Sequence, residues 1–228
     1  SIEKRLPKKR QNLLFSATMP QKIRNLASNL LVNHESISLA ISKPASGILQ
    51  SAYILHDEQK VKLVRHIIRE KGRNISHILI FASSIKSVNK ITQNLNKVNM
   101  RASSIHSGLD QQKREAVIRD FKNKKIRILV ATDLLSRGID IKEIGLVINY
   151  EVPYDAEDYV HRIGRTARAD RKGEAITFIN PKQVRNFMNI EKLIEQEVTK
   201  LNLPKKFKEA PKYQIIAKKK KWKNFKNK

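Results

Sequence analysis

The run Tyr159-Val160-His161-Arg162-Ile163-Gly164-Arg165-Thr166-Ala167-Arg168 sets three arginines and a histidine around one glycine. This spacing suits the binding of phosphate. On a helix Arg165 and Arg168 share a face, and each guanidinium offers a planar fork of donors to an anion. Gly164, without a Cβ, leaves room for a close approach. Two further segments carry polar and charged residues directly after apolar runs. In Ala131-Thr132-Asp133-Leu134-Leu135-Ser136-Arg137-Gly138-Ile139-Asp140, Thr132 and Asp133 fall at the end of a strand pattern. Gly138 permits a sharp turn there, and Asp140 can accept a hydrogen bond from a ribose hydroxyl. In His106-Ser107-Gly108-Leu109-Asp110-Gln111-Gln112-Lys113-Arg114 a turn opens a helix, with Asp110 as N-cap and backbone amides that favour phosphate. Each segment alone also has a plain reading: a solvated basic helix face, a strand-to-helix turn capped by Asp133, and an N-capped helix.

The elements that must position these residues follow from the apolar pattern. Between Gly72 and Asn180 short β-rich runs alternate with amphipathic helical stretches, which predicts an α/β fold with a parallel sheet wrapped by helices. The strand candidates are 77–82, 101–105, 126–132, 144–150 and 174–179, and their unbroken apolar character suits burial on both faces. Val88, Ile91, Leu95 and Val98 recur at helical spacing, as do Val117, Ile118 and Phe121. Asp155 and Asp158 mark a helix start, placing the arginine run on that helix's body and far end.

Outside this span, Leu13, Leu14 and Phe15 read as a buried strand, and Ile23, Leu26, Ala27, Leu30 and Leu31 as a helix. A lone strand and helix cannot hide such surface by themselves. Residues 33–51 are polar and small, with Pro44 and Gly47, as in a connection between domains. A strand at 51–56 and a helix through Val61, Val64 and Ile68 follow. From residue 204 the chain is Lys-dense with Glu209 as its one acid, the composition of a flexible, solvated tail. Trp222 and Phe225 stand among those lysines, and aromatics interleaved with cations can stack bases at about 1–3 kcal/mol each.

Charge narrows the partner. Forty-seven Lys and Arg against 21 Asp and Glu leave a net charge of +26 over 228 residues, which points to a polyanion, most directly nucleic acid. The 40% hydrophobic content supports a real core, and no apolar run is long enough for a membrane span. With no Cys, disulfides and thiolate metal sites are excluded. The N-terminus lacks both an apolar leader region and an initiator Met, and we expect a processed product or a piece of a longer chain.

Together the segments resemble the motifs of the DEAD-box RNA helicase family within helicase superfamily 2. Ser16-Ala17-Thr18 is similar to its SAT motif, Ile80-Phe81-Ala82-Ser83-Ser84 to its fourth, and Gln111 with Arg114 to its Q-x-x-R element beside a His-x-Gly turn. Thr132 through Asp140 resembles the fifth motif and His161 through Arg168 the sixth, in matching order across roughly residues 10 to 180. His161 stands where DEAH-type helicases place Gln, and Thr166-Ala167-Arg168-Ala169 with the basic tail is similar to the bacterial RhlE-like group.

The resemblance implies a RecA-like second domain at 51–203, a linker at 35–50, the end of a first RecA-like domain at 1–34, and a Lys-rich tail at 204–228. It further implies that Gly138 and Asp140 contact ATP, with Arg165 and the arginine finger Arg168 at its γ-phosphate. Ser83, Gly108, Gln111, Arg114 and Thr132 would follow the RNA backbone, while Ser16, Thr18, Asp133 and His161 couple the domains. The G-x-x-x-x-G-K-[ST] loop and the Asp-Glu-Ala-Asp motif are absent from these 228 residues. The Mg²⁺ ligands are therefore expected on a missing N-terminal RecA-like domain. An arginine finger is worth about 10³–10⁵-fold, yet only on a nucleotide held elsewhere, so the chain alone is not expected to hydrolyse ATP efficiently. The expected whole is a cytoplasmic, ATP-dependent RNA-unwinding enzyme with no membrane partner. A non-catalytic RNA-binding or annealing module is the alternative, and a DNA-directed translocase is disfavoured by the Ser16–Thr18, Thr132-Asp133 and His161 combination.

Overall fold

In the computed structural model seven strands form one parallel sheet: β1 (Ile48–Ile54), β2 (His77–Phe81), β3 (Ala102–Ile105), β4 (Ile128–Ala131), β5 (Ile144–Asn149), β6 (Gly173–Ile179) and β7 (Thr199–Leu201). Their spatial order is β3-β4-β2-β5-β6-β1-β7. The structure describes residues 6–7, 9–16, 21–31, 33–37, 44, 47–133, 144–166 and 173–214. Helices α2 (Asp57–Glu70), α3 (Ile85–Asn96), α4 (Gln111–Lys122), α5 (Ala156–Ile163) and α6 (Val184–Ile194) accompany the sheet, and α1 (Gln21–Leu30) belongs to a separate N-terminal unit.

Every residue of β2 and β4 is buried, as their unbroken apolar sequences require when both faces are covered. Alternate side chains go to opposite layers. Ile78, Ile80, Ile128 and Val130 join Leu63 and Val64 of α2 and Val88 and Ile91 of α3 in one cluster. Leu79, Phe81, Leu129 and Ala131 join Phe121 of α4 in another. A third cluster packs α5 and α6 on β1 and β6, through Tyr159, Ile163, Phe187, Ile190, Ala52 and Ala175.

Three sequence expectations are corrected. Residues 13–15 form no strand: Leu13 and Phe15 are exposed, and no strand among the described residues pairs with them, so their backbone has no ladder to join. In that unit the Asn12 amide instead donates to the Leu30 carbonyl at 3.0 Å. β1 begins at Ile48, inside the span read as linker, because its ladder with β6 starts at the Ile48–Gly173 pair. Residues 204–214, read as flexible tail, lie packed on the domain. Phe207 seats on the core, Gln59 donates to the Lys208 carbonyl at 3.1 Å, and the Tyr213 hydroxyl donates to Glu191 at 2.9 Å. Aromatic burial decides this segment's placement over its lysine content. Trp222 and Phe225 lie outside the described residues.

Candidate functional site

The sheet order brings distant segments to one edge. β3, β4, β2 and β5 are consecutive neighbours, so the residues after their carboxyl ends stand in a row: His106 to Arg114 after β3, Thr132 and Asp133 after β4, Ser83 after β2, and Glu151 after β5. Open parallel sheets place their ligand sites beyond these ends. The ladder continues a residue past each strand, with Ala82 N–H donating to the Ala131 carbonyl and Tyr150 N–H to the Phe81 carbonyl, both at 2.9 Å.

The arginine run divides at Gly164. Helix α5 ends at Ile163, Gly164 caps it, and the Thr166 hydroxyl donates to the Ile144 carbonyl at 2.6 Å, drawing the chain into an isolated bridge with β5. Arg165 therefore sits half-buried in a turn past the helix end, which corrects its expected place on the far end of that helix. Glycine's low helix propensity and the Thr166 bridge end the helix there. A Cβ at Gly164 would lie 3.1 Å from the Val160 carbonyl oxygen, so the close neighbour is the helix's own last turn.

Arg162 points inward and is 4% exposed. Its Nε and Nη2 donate to the two oxygens of Asp133 at 2.5 and 2.6 Å, while Nη1 donates to the Glu151 carbonyl at 3.0 Å and to Asn149 Oδ1 at 3.4 Å. Its guanidinium also lies 5.2 Å from the centre of the Phe81 ring. The planar, charged fork matches a carboxylate and stacks on an aromatic at once, which no other cation does. Asn149, fully buried, is held by its own donation to Thr177 Oγ1 at 3.0 Å. One residue away, His161 Nε2 is buried without a hydrogen-bond partner.

After β2, the Ser83 N–H donates to Glu151 Oε2 at 3.0 Å, and the Ser84 hydroxyl caps α3 by accepting from Ser87 N–H at 3.1 Å. Burial pushes the Glu151 carboxyl above its ordinary pKa, against the opposing pull of the Ser83 N–H, Lys60 and Arg162. Lys60, 1% exposed, pairs with Asp57 at 2.8 Å and lies over the Tyr150 ring. Burial would raise the Asp57 pKa, but hydrogen bonds from Lys60 and Asn180 and the charges of Lys60 and Lys182 hold it below its ordinary value. After β3, Gly108 N–H donates to His106 Nδ1 at 3.2 Å, which leaves Nε2 to carry the neutral ring's proton toward Asn89 Oδ1, 3.2 Å away. A Cβ on Gly108 would press on that ring at 3.1 Å. Arg114 Nε donates to the Leu109 carbonyl at 2.8 Å, in the turn before the helix, and the Gln111 amide donates to Glu115 of its own helix at 2.8 Å.

The row thus gathers Ser83, Gly108, Gln111, Arg114, Thr132 and Asp133, with the His161–Arg165 segment anchored to it through Arg162. Ser16 is exposed in the N-terminal unit; Thr18, Gly138, Asp140 and Arg168 lie outside the described residues. Sequence reasoning passed over Glu151, Asn149 and Lys60. No three His, Asp or Glu among the described residues come together as a metal site, and no described helix is long and apolar enough to cross a membrane. The carboxyl edge offers amides, hydroxyls and guanidiniums, a donor set for phosphate and ribose.

Residues 59–170 match the family described as the helicase conserved C-terminal domain. The ATP-dependent RNA helicase DbpA of Bacillus subtilis is 37% identical over 221 residues, covering 96% of this chain and 44% of that protein. The chain therefore spans less than half the length of that relative. The structure of the C-terminal domain of the DEAD-box protein Dbp5 is 31% identical with a TM-score of 0.62, covering 68% of this chain and 89% of that one. Saccharomyces cerevisiae Dbp5 bound to RNA and ADP BeF3 is 30% identical with a TM-score of 0.77, over 88% of this chain and 53% of that one. With its seven-stranded RecA-like sheet and the motif-bearing carboxyl edge, the chain belongs to the DEAD-box RNA helicase family, whose C-terminal domain it carries.

Proposed function

We propose that this chain is the half of an ATP-dependent RNA helicase that grips one RNA strand and completes a nucleotide site held mainly by a neighbouring N-terminal RecA-like domain. The observation that carries this reading is the row of strand ends that sets Ser83, Thr132 and Asp133 side by side and ties them, through Arg162, to the segment bearing Arg165. In the proposal Ser83, Gly108, Gln111, Arg114 and Thr132 follow the RNA backbone through its phosphates, and its 2′-hydroxyls distinguish it from DNA. Arg165 and Arg168 bring positive charge to the γ-phosphate, and Gly138 and Asp140 receive the ribose. Charge stabilisation of this kind accounts for most of the catalysis in phosphoryl transfer. Mg²⁺, held by the neighbouring domain, neutralises phosphate charge when bound.

His161, with its buried unpartnered Nε2, and Ser16 and Thr18 carry closure between the domains. Asp133 contributes to that coupling by holding Arg162. In this reading the 228 residues alone do not turn ATP over, since no G-x-x-x-x-G-K-[ST] loop occurs in them. We place the protein in the cytoplasm and, on Thr166-Ala167-Arg168-Ala169 and the basic tail, beside the RhlE-like group.

The test is ATP turnover by the full-length protein with single-stranded RNA and with DNA of the same sequence. RNA should stimulate turnover strongly and DNA weakly. Equal stimulation would replace RNA by nucleic acid in general, and none would leave only the binding module.

A further inference from the structure

We propose that Glu151 is a positioning residue that fixes Ser83 for its contact with the RNA backbone and links that contact to the arginine segment. The inference rests on the RNA-binding reading given above. Ser83 occupies a gap in the backbone bonding: the β2 ladder ends with Ala82 N–H on the Ala131 carbonyl, and the hydroxyl cap of α3 belongs to Ser84. The Ser83 N–H is left to neither element, and the Glu151 carboxylate takes it at 3.0 Å. An amide so held fixes the backbone at Ser83 while its side chain stays exposed.

A carboxylate on an edge that meets phosphate would repel its ligand, so its presence calls for a reason. Here its charge faces the buried cations Lys60 and Arg162, with Asp57 as the nearby anion, and its oxygen is spent on a backbone donor. Its main chain is held as well, since Arg162 Nη1 donates to the Glu151 carbonyl at 3.0 Å while the same guanidinium grips Asp133. Any shift of α5 that moves Arg162 therefore acts on Glu151, and through it on Ser83. Arg162 stands between His161 and Arg165, so the nucleotide side and the RNA side meet at one residue, Glu151, through its main-chain carbonyl and its carboxylate.

The test compares Glu151→Ala, Glu151→Gln, Ser83→Ala and the Ser83→Ala/Glu151→Ala pair in the 228-residue chain. Exchange of the Ser83 amide with solvent and affinity for a short single-stranded RNA are measured for each. Glu151→Ala should speed Ser83 exchange about tenfold and weaken RNA binding about fivefold, the range for losing one hydrogen bond at a contact. Glu151→Gln keeps the acceptor oxygen and should stay within about twofold of wild type in both readouts. In the Ser83→Ala background, Glu151→Ala should add almost nothing, because its effect passes through Ser83. Freed Ser83 exchange with unchanged RNA affinity, or fully additive losses, overturns the proposal while the RNA-binding reading stands. A wild-type chain that does not bind RNA overturns both.

Discussion

Replacing Arg162 by alanine removes a buried guanidinium that serves four acceptor atoms at once: both oxygens of Asp133, Asn149 Oδ1 and the Glu151 carbonyl. Breaking a buried ion pair from one side costs about 3–5 kcal/mol, because the other charge is left uncompensated. Asp133 has a side-chain exposure of 36% and recovers some hydration, which argues for the low end, about 3 kcal/mol. Asn149 has no such relief, being fully buried. For a chain of this size each kcal/mol lowers the melting temperature by about 2–4 °C, so the variant should melt roughly 6–12 °C below wild type. Arg162→Lys should recover little, since a point charge can neither fork onto Asp133 nor reach Asn149 and Glu151 together. Lys113→Ala, which breaks an exposed pair with Asp110, is the control and should leave melting unchanged. Thermal and urea unfolding of the 228-residue chain measure all three. A loss under about 1 kcal/mol for Arg162→Ala, or full recovery with lysine, would refute the clamp as the edge's structural tie.

Truncation after Gln214 should lower RNA affinity and flatten its salt dependence, while truncation after Leu203 should destabilise the fold relative to that shorter cut, because Phe207 and Tyr213 are packed on it. Binding titrations at several salt concentrations, with urea unfolding alongside, separate the two; equal stability of both truncations would contradict the packing. Glu151 gives a pH signature. Its folded pKa lies above its unfolded one, so the folded state holds the proton longer and wild-type stability falls as pH rises through that window. Relative to wild type, Glu151→Gln should gain stability as pH rises above the ordinary carboxylate range, and a gain on acidification instead would reverse the assigned cause.

The sheet's inner strands were legible because strands covered on both faces are written as uninterrupted aliphatic runs, and 77–82 and 126–132 each came within two residues of the strand ends. Their spatial order was not, since β4 inserts between β3 and β2 through packing that no local pattern records. The direction of Arg162 had a signal that went unused. It shares the helical stripe of Tyr159 and Ile163, both fully buried, and a cation in an apolar stripe calls for a buried anion. The fold of 204–214 was hidden by composition: its lysines suggest solvent, while Phe207 and Tyr213 decide the outcome. Glu151 was illegible because its role is a single hydrogen bond to a residue 68 positions away.

In the proposed reading this domain supplies charge to a triphosphate bound mainly by its neighbour, separately from its hold on RNA. Steady-state ATP turnover and RNA affinity of Arg168→Ala in the full-length protein test it most directly. Turnover should fall by about 10³-fold or more with RNA affinity nearly unchanged. Equal losses in both, or none in either, would contradict it.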